Sequence, residues 1–179
     1  STYAQDPGLY CSIRLAWTLW YLGYSDQAKE MCAATLARAE AMAHPFTLQL
    51  VLWFAAWIYQ DCRDPRAAEI CLKAIQHEEN HRQLQFQSPH TLRMKGWYAA
   101  YCGDPAAAIT HLTASFEEYG RTDNAGLYGP FALGMIAQVY QGIGEHNQGL
   151  AAIEHALGML GPQREYWYAA ELLRIKGEL

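Results

Sequence analysis

The chain has 179 residues, 51% of them hydrophobic, enough for a domain of ordinary size with a buried core. Its net charge of -5, with acids and bases interspersed, leaves no electrostatic footprint for nucleic acid or for an anionic membrane surface. No apolar run approaches the roughly 20 residues needed to span a bilayer, and the odd set Cys11, Cys32, Cys62, Cys71 and Cys102, without CxxC pairs or a signal peptide, reads as reduced thiols of a cytoplasmic protein.

Alternation with period two is nowhere sustained, so the elements are expected to be helical throughout. After a polar start that lacks an initiator Met, Pro7 supplies a first-turn residue for a helix over about Leu9 to Leu22. Gly23 then stops it, and Ser25 and Asp26 cap the next, about Asp26 to Met42, with Ala28, Met31, Cys32, Leu36 and Ala39 on one face. Further helices are expected near Gln49 to Cys62, Pro65 to Gln83, Pro89 to Cys102, Pro105 to Tyr119, Pro130 to Gly142, Asn147 to Leu160 and Arg164 to Leu179. The punctuation repeats. His44-Pro45-Phe46, Ser88-Pro89-His90 and Gly129-Pro130-Phe131 open one set of helices, while Arg63-Asp64-Pro65, Gly103-Asp104-Pro105 and Gly144-Glu145-His146 stand where Gly23-Tyr24-Ser25 does.

Small residues twelve apart mark the same places: Ala16 with Ala28, Ala56 with Ala68, Gly96 with Ala108, and Ala137 with Gly149. Their first members step by 40, 40 and 41 residues, with Gly177 a further 40 on. A small side chain on each of two antiparallel helices lets their backbones approach, and a fixed period is the mark of a stacked solenoid. The expectation is a right-handed, all-α solenoid of antiparallel helix pairs. It comprises one repeat domain over residues 1–179, with four pairs and a truncated fifth first-helix. Because an uncapped solenoid end exposes apolar surface, the chain is expected to be a fragment of a larger protein.

The pattern resembles tetratricopeptide repeats, with Gly23, Gly103 and Gly144 in the family's turn-glycine slot and Tyr59 and Tyr140 in its first-helix tyrosine slot. The period of about 40 against the family's 34 resembles the long-helix variety of bacterial signalling ATPases. The runs Asp6-Pro7-Gly8, Ala16 to Ala28, His44-Pro45-Phe46, Phe54 to Trp57 and Glu171 to Leu179 look like the C-terminal repeats of bacterial adenylate or guanylate cyclases that carry a predicted regulatory ATPase domain. Related repeats end maltose-type transcription activators. The resemblance implies a regulatory, partner-binding segment. Carrying the tetratricopeptide frame onto each first helix puts Trp17, Trp57, Trp97 and Gln138 at the groove-facing ninth position, with Trp53 and Arg93 at the fifth and His90 at the second. These seven form the candidate groove: a tryptophan ladder with Arg93 as its one strong cation, suited to a peptide with apolar anchors and a carboxylate. The alternative is that the same tryptophans pack between repeats as core.

Catalytic constellations are sparse. His77-Glu78-Glu79-Asn80-His81 matches the HExxH of zinc proteases, but Leu84 and Gln87 stand where the metzincin extension needs Gly and His, and only distant Glu117 or Glu118 offers a third ligand. His77 and His81 are weak candidates for adventitious surface metal. Cys102 and His111 lack an orienting third group, and the phosphate loop GxxxxGK[ST] is absent. The expectation is a non-catalytic domain without a cofactor, binding a protein, a peptide or another part of its own chain. The alternative is a small-molecule inducer site, and zinc proteolysis is the remote third reading.

Overall fold

The computed structural model describes residues 5–64, 66–81, 88–122, 125–160 and 168–179. It is helical, with no strand among the described residues. The elements are α1 (Pro7–Tyr21), α2 (Ser25–Met42), α3 (Pro45–Asp61), α4 (Arg66–Asn80), α5 (Pro89–Tyr101), α6 (Pro105–Gly120), α7 (Ala125–Gly142), α8 (His146–Gly158) and α9 (Ala169–Glu178). The chain divides into two compact units, Ser1–Phe86 and Gln87–Leu179.

The helix starts follow from cap chemistry. Asp6 accepts the Leu9 N–H at 2.8 Å, and Asp104 accepts the Ala107 N–H at 3.0 Å, each just ahead of a proline at the first helical position. His44 Nδ1 accepts the Thr47 N–H, and Ser88 Oγ accepts that of His90. The four hairpin turns share one closure: Tyr24 N–H donates to Leu19 O, Asp64 to Tyr59 O, Asp104 to Ala99 O and Glu145 to Tyr140 O, all at 2.9 Å. This is the six-to-one bond of a Schellman stop, which needs a left-handed residue just past the helix. Gly23, Gly103 and Gly144 supply it with φ of 87°, 82° and 78°, and Arg63 supplies it in the second pair with φ 51°.

In the first unit, Leu9, Ile13 and Ala16 of α1 and Ala28, Cys32 and Ala39 of α2 are fully buried. Buried Gln49 ties α3 to α4, its amide donating to Ala74 O at 3.1 Å while its Oε1 accepts from His77 Nδ1 at 2.7 Å. Ala56 is buried as expected, but its partner is not: Ala68 is half-buried, and Ala67 is 2% exposed in its stead. The stripe that goes inside is Ala67, Ile70, Cys71, Ala74 and Ile75. The expected stripe would have turned Gln76 and Glu79 inward, so apolar burial sets the rotation of α4. Arg66 holds it there, forked on Asp64 at 2.9 and 2.8 Å with its guanidinium 4.6 Å over the Tyr59 ring.

In the second unit the expected close approaches are present. A Cβ on Gly96 would lie 2.5 Å from Leu112 Cγ and 3.1 Å from the Ala108 carbonyl oxygen, and one on Gly149 would lie 3.4 Å from Ala137 O. Helix α7 departs from the expected start at Pro130: it begins at Ala125 and carries Pro130 inside. Burying Tyr128 and Gly129 rewards the extra turn, since Gly129 sits so close to Met159 that a Cβ would come within 2.7 Å of its methyl carbon. Helix α9 covers α7 and α8 with Leu172 and Ile175, both fully buried; it begins at Ala169, and residues 164–167 of the expected last helix lie outside the described residues. Pro65 and residues 82 and 83 of the expected fourth helix lie outside them as well.

Candidate functional site

Of the seven groove candidates, Trp17, Trp53 and Trp57 belong to the first unit, and His90, Arg93, Trp97 and Gln138 to the second. Trp57 is 1% exposed. Its ring lies 5.3 Å from that of Trp17 and stacks at 7° and 6.4 Å on Phe54, while Arg14 covers Trp17 and Phe54 at 4.8 and 5.1 Å. Trp17 and Trp53 are half-buried. Where α1 meets α3, therefore, tryptophan packs on tryptophan under an arginine lid.

Arg93 is fully buried, not a cation on an open wall. Its guanidinium lies 5.4 Å over Phe131 and donates to the Tyr119 hydroxyl, which shares a hydrogen bond with His90 Nδ1 at 3.0 Å. Ser115 Oγ donates to Pro89 O at 2.7 Å in the same layer. The His90 ring is wedged edge-on against Tyr119 and Tyr128, at 5.5 and 5.1 Å. Desolvation there, seconded by the Arg93 charge, pushes the imidazole down to about 3, so it stays neutral. Burial raises the Tyr119 hydroxyl well above its ordinary range. This layer is a structural polar core joining α5, α6 and α7.

Trp97 and Gln138 are brought together. Both line a cleft of about 450 Å³ where α5 and α6 meet α7, with Ala100, Leu112, Met135 and Ile143. Trp97 is half-buried and stacks on Tyr101 at 15° and 5.4 Å, Met135 is 7% exposed, and Gln138 stands exposed on the rim. The described lining carries no formal charge. The sequence frame selected Trp97 and Gln138; Ala100, Met135 and Ile143 were missed, although the small residue Ala100, at the place held by Trp20 two repeats earlier, was the available signal.

The HExxH histidines form a pair. Their rings stack 4.3 Å apart, His77 Nδ1 is engaged by Gln49, and His81 Nδ1 donates to His77 O at 2.9 Å. Among the described residues, no group of three or more His, Cys, Asp or Glu side chains is arranged to hold a metal ion. All five cysteines are free thiols, with Cys11 and Cys102 exposed and Cys32 and Cys71 buried. Burial pushes the Cys32 thiol up to about 12, which makes it a packing residue rather than a nucleophile. Among the described residues, no helix is long and apolar enough to cross a membrane.

Comparison of the fold with solved structures places it. A crystal structure of nearly identical TPR-like repeats from a Podosopora anserina protein described as a kinesin light chain superposes with a TM-score of 0.61 at 15% identity, covering 95% of this chain and 85% of that one. The fold is that of TPR-like repeats. BtubC (BKLC) from P. vanneervenii gives a TM-score of 0.59 at 15% identity, covering 92% of this chain and 71% of that one. No family model matches the sequence, and no curated protein does.

Proposed function

We propose that the chain is a non-catalytic repeat domain that binds a protein or peptide, and that its partner surface includes the cleft at Trp97 and Gln138. The observation that carries this reading is the cleft itself: an open, apolar hollow beside a half-buried tryptophan, in a fold where the contact of Trp17 with Trp57 is closed. The cyclase-like runs extend the proposal to a regulatory segment of a bacterial multidomain signalling protein, of cyclase or transcription-regulator type. Occupancy of the surface would there shift the parent between inactive and active states.

A photo-cross-linking amino acid tests the reading directly. With p-benzoylphenylalanine at Gln138, a discrete cross-linked partner is expected in the native cell, absent when the probe replaces exposed Glu30 of α2. Equal labelling from both sites, or none from Gln138, would overturn the proposal.

The cleft volume also lies within the span of small-molecule pockets, which supports an inducer-sensing role as a second reading. A metabolite extract that raises the melting temperature of the wild type and leaves Trp97→Ala unmoved would favour it over peptide binding.

A further inference from the structure

The repeats carry their own indication of what the cleft holds. Advancing the first unit by 80 residues in α1 and α2, and by 81 in α3, superimposes Trp17 on Trp97, Trp20 on Ala100, Phe54 on Met135 and Trp57 on Gln138. The slot formed by α1, α2 and α3 thus shares its sequence register with the one formed by α5, α6 and α7, although α1 packs on α3 more extensively than α5 does on α7. In the first, the Trp57 indole is the filling, 1% exposed, 5.3 Å from Trp17 and stacked on Phe54. In the second, the filling position is Gln138, which stands exposed; a second indole, that of Trp20, has also become Ala100, and the remaining space is the cleft of about 450 Å³.

Trp97 thus keeps the wall against which an indole packs in the first unit, while the chain no longer provides the indole. The charge of the site narrows the choice of occupant. With no formal charge in the described lining, an entering carboxylate or ammonium would lose hydration without a counter-ion. A neutral ring avoids that cost, and an indole adds an N–H for which the Gln138 side-chain oxygen on the rim is an acceptor.

We propose that the Trp97 cleft takes an aromatic side chain, a tryptophan indole above all, presented by a partner peptide in the place that Trp57 fills from within the first unit. This rests on the partner-binding reading and gives its anchor a chemical identity. The unfilled slot would then act as a specificity pocket along an otherwise self-packed array.

The test uses the full chain and N-acetyl-L-tryptophanamide as probe, with the alanine and leucine amides as controls, followed by amide and indole N–H shifts in two-dimensional NMR. The tryptophan amide is expected to move the Trp97 indole and Ile143 signals and to bind at least about tenfold more tightly than the alanine amide. Gln138→Trp should refill the slot, raise the melting temperature and abolish those shifts; Trp97→Ala, at a half-buried ring, should weaken the Ile143 shift by a similar factor. Equal binding of all three amides, or shifts that persist undiminished in Gln138→Trp and Trp97→Ala, would overturn the inference. The cross-linking result is independent. A partner captured at Gln138 without any indole preference leaves the interaction reading standing and removes the aromatic anchor, whereas failure of cross-linking removes the interaction reading itself.

Discussion

The contact between α1 and α3 and the contact between α5 and α7 use the same register and reach opposite ends. In the first, Trp17, Phe54 and Trp57 close on one another beneath Arg14. In the second, Trp97 stacks on Tyr101 at 15° where Trp17 meets Tyr21 edge-on at 86°, and Met135 and Gln138 leave a cleft. A tryptophan at a given repeat position is therefore neither core nor surface by virtue of its position. What the next hairpin places opposite decides it, because burial of an aromatic ring is a property of the pair.

The largest expected effect separates the two sites by stability. Trp57→Ala should cost about 3–5 kcal/mol in denaturant unfolding, as expected for an aromatic ring removed from a packed interior, whereas Trp97→Ala should cost about 1 kcal/mol or less. Equal losses would dissolve the distinction.

The units should also differ in their response to acid through the polar layer of α5, α6 and α7. His90 is neutral in the folded chain, with a folded value of about 3 against an ordinary 6.5, so on acidification the unfolded state takes up the proton first. Its contribution is intact above pH 6.5 and drains away towards about pH 3, amounting to about 2 kcal/mol by about pH 5. Protection factors of α5 amides, corrected for the intrinsic pH dependence of exchange, should fall over that window in the wild type and show a flatter pH dependence in His90→Gln. An unchanged slope would place the acid lability elsewhere.

Backbone approach gives a smaller effect. Gly96→Ala gains roughly 1 kcal/mol of helix propensity, yet its methyl would meet Leu112 and the Ala108 carbonyl, so a net loss of about 1–2 kcal/mol is expected. The turns offer the smallest test. Arg63 holds at φ 51° the left-handed position that glycine holds in the other three hairpins, and Arg63→Gly should stabilise the chain by about 0.5 kcal/mol in thermal unfolding.

The sequence exposes what depends on one residue type at one place. Glycine turns, aspartate and proline starts and the small pairs Gly96 with Ala108 and Ala137 with Gly149 were legible because backbone conformation and backbone approach admit few substitutes. The rotation of α4 was not. It follows from weighing the Ala67-Ile70-Cys71 stripe against one containing Gln76 and Glu79, and the repeat frame alone pointed to Ala68. The start of α7 was hidden by Pro130, whose usual place at a first turn gave way to the burial of Tyr128 and Gly129. At the site, the frame singled out Trp97 and Gln138, but the burial of Arg93 depends on Phe131 and Tyr119 arriving from other helices, which no local pattern reveals.

One slot is filled by the chain and its counterpart is open. Fluorine NMR of the 5-fluorotryptophan-labelled protein, with signals assigned by single Trp→Phe variants, measures this through the shift of each ring signal between H2O and D2O. A negligible solvent shift is expected for Trp57 and a clear one for Trp97 that disappears in Gln138→Trp. A Trp97 signal as shielded as that of Trp57 in the wild type would contradict it.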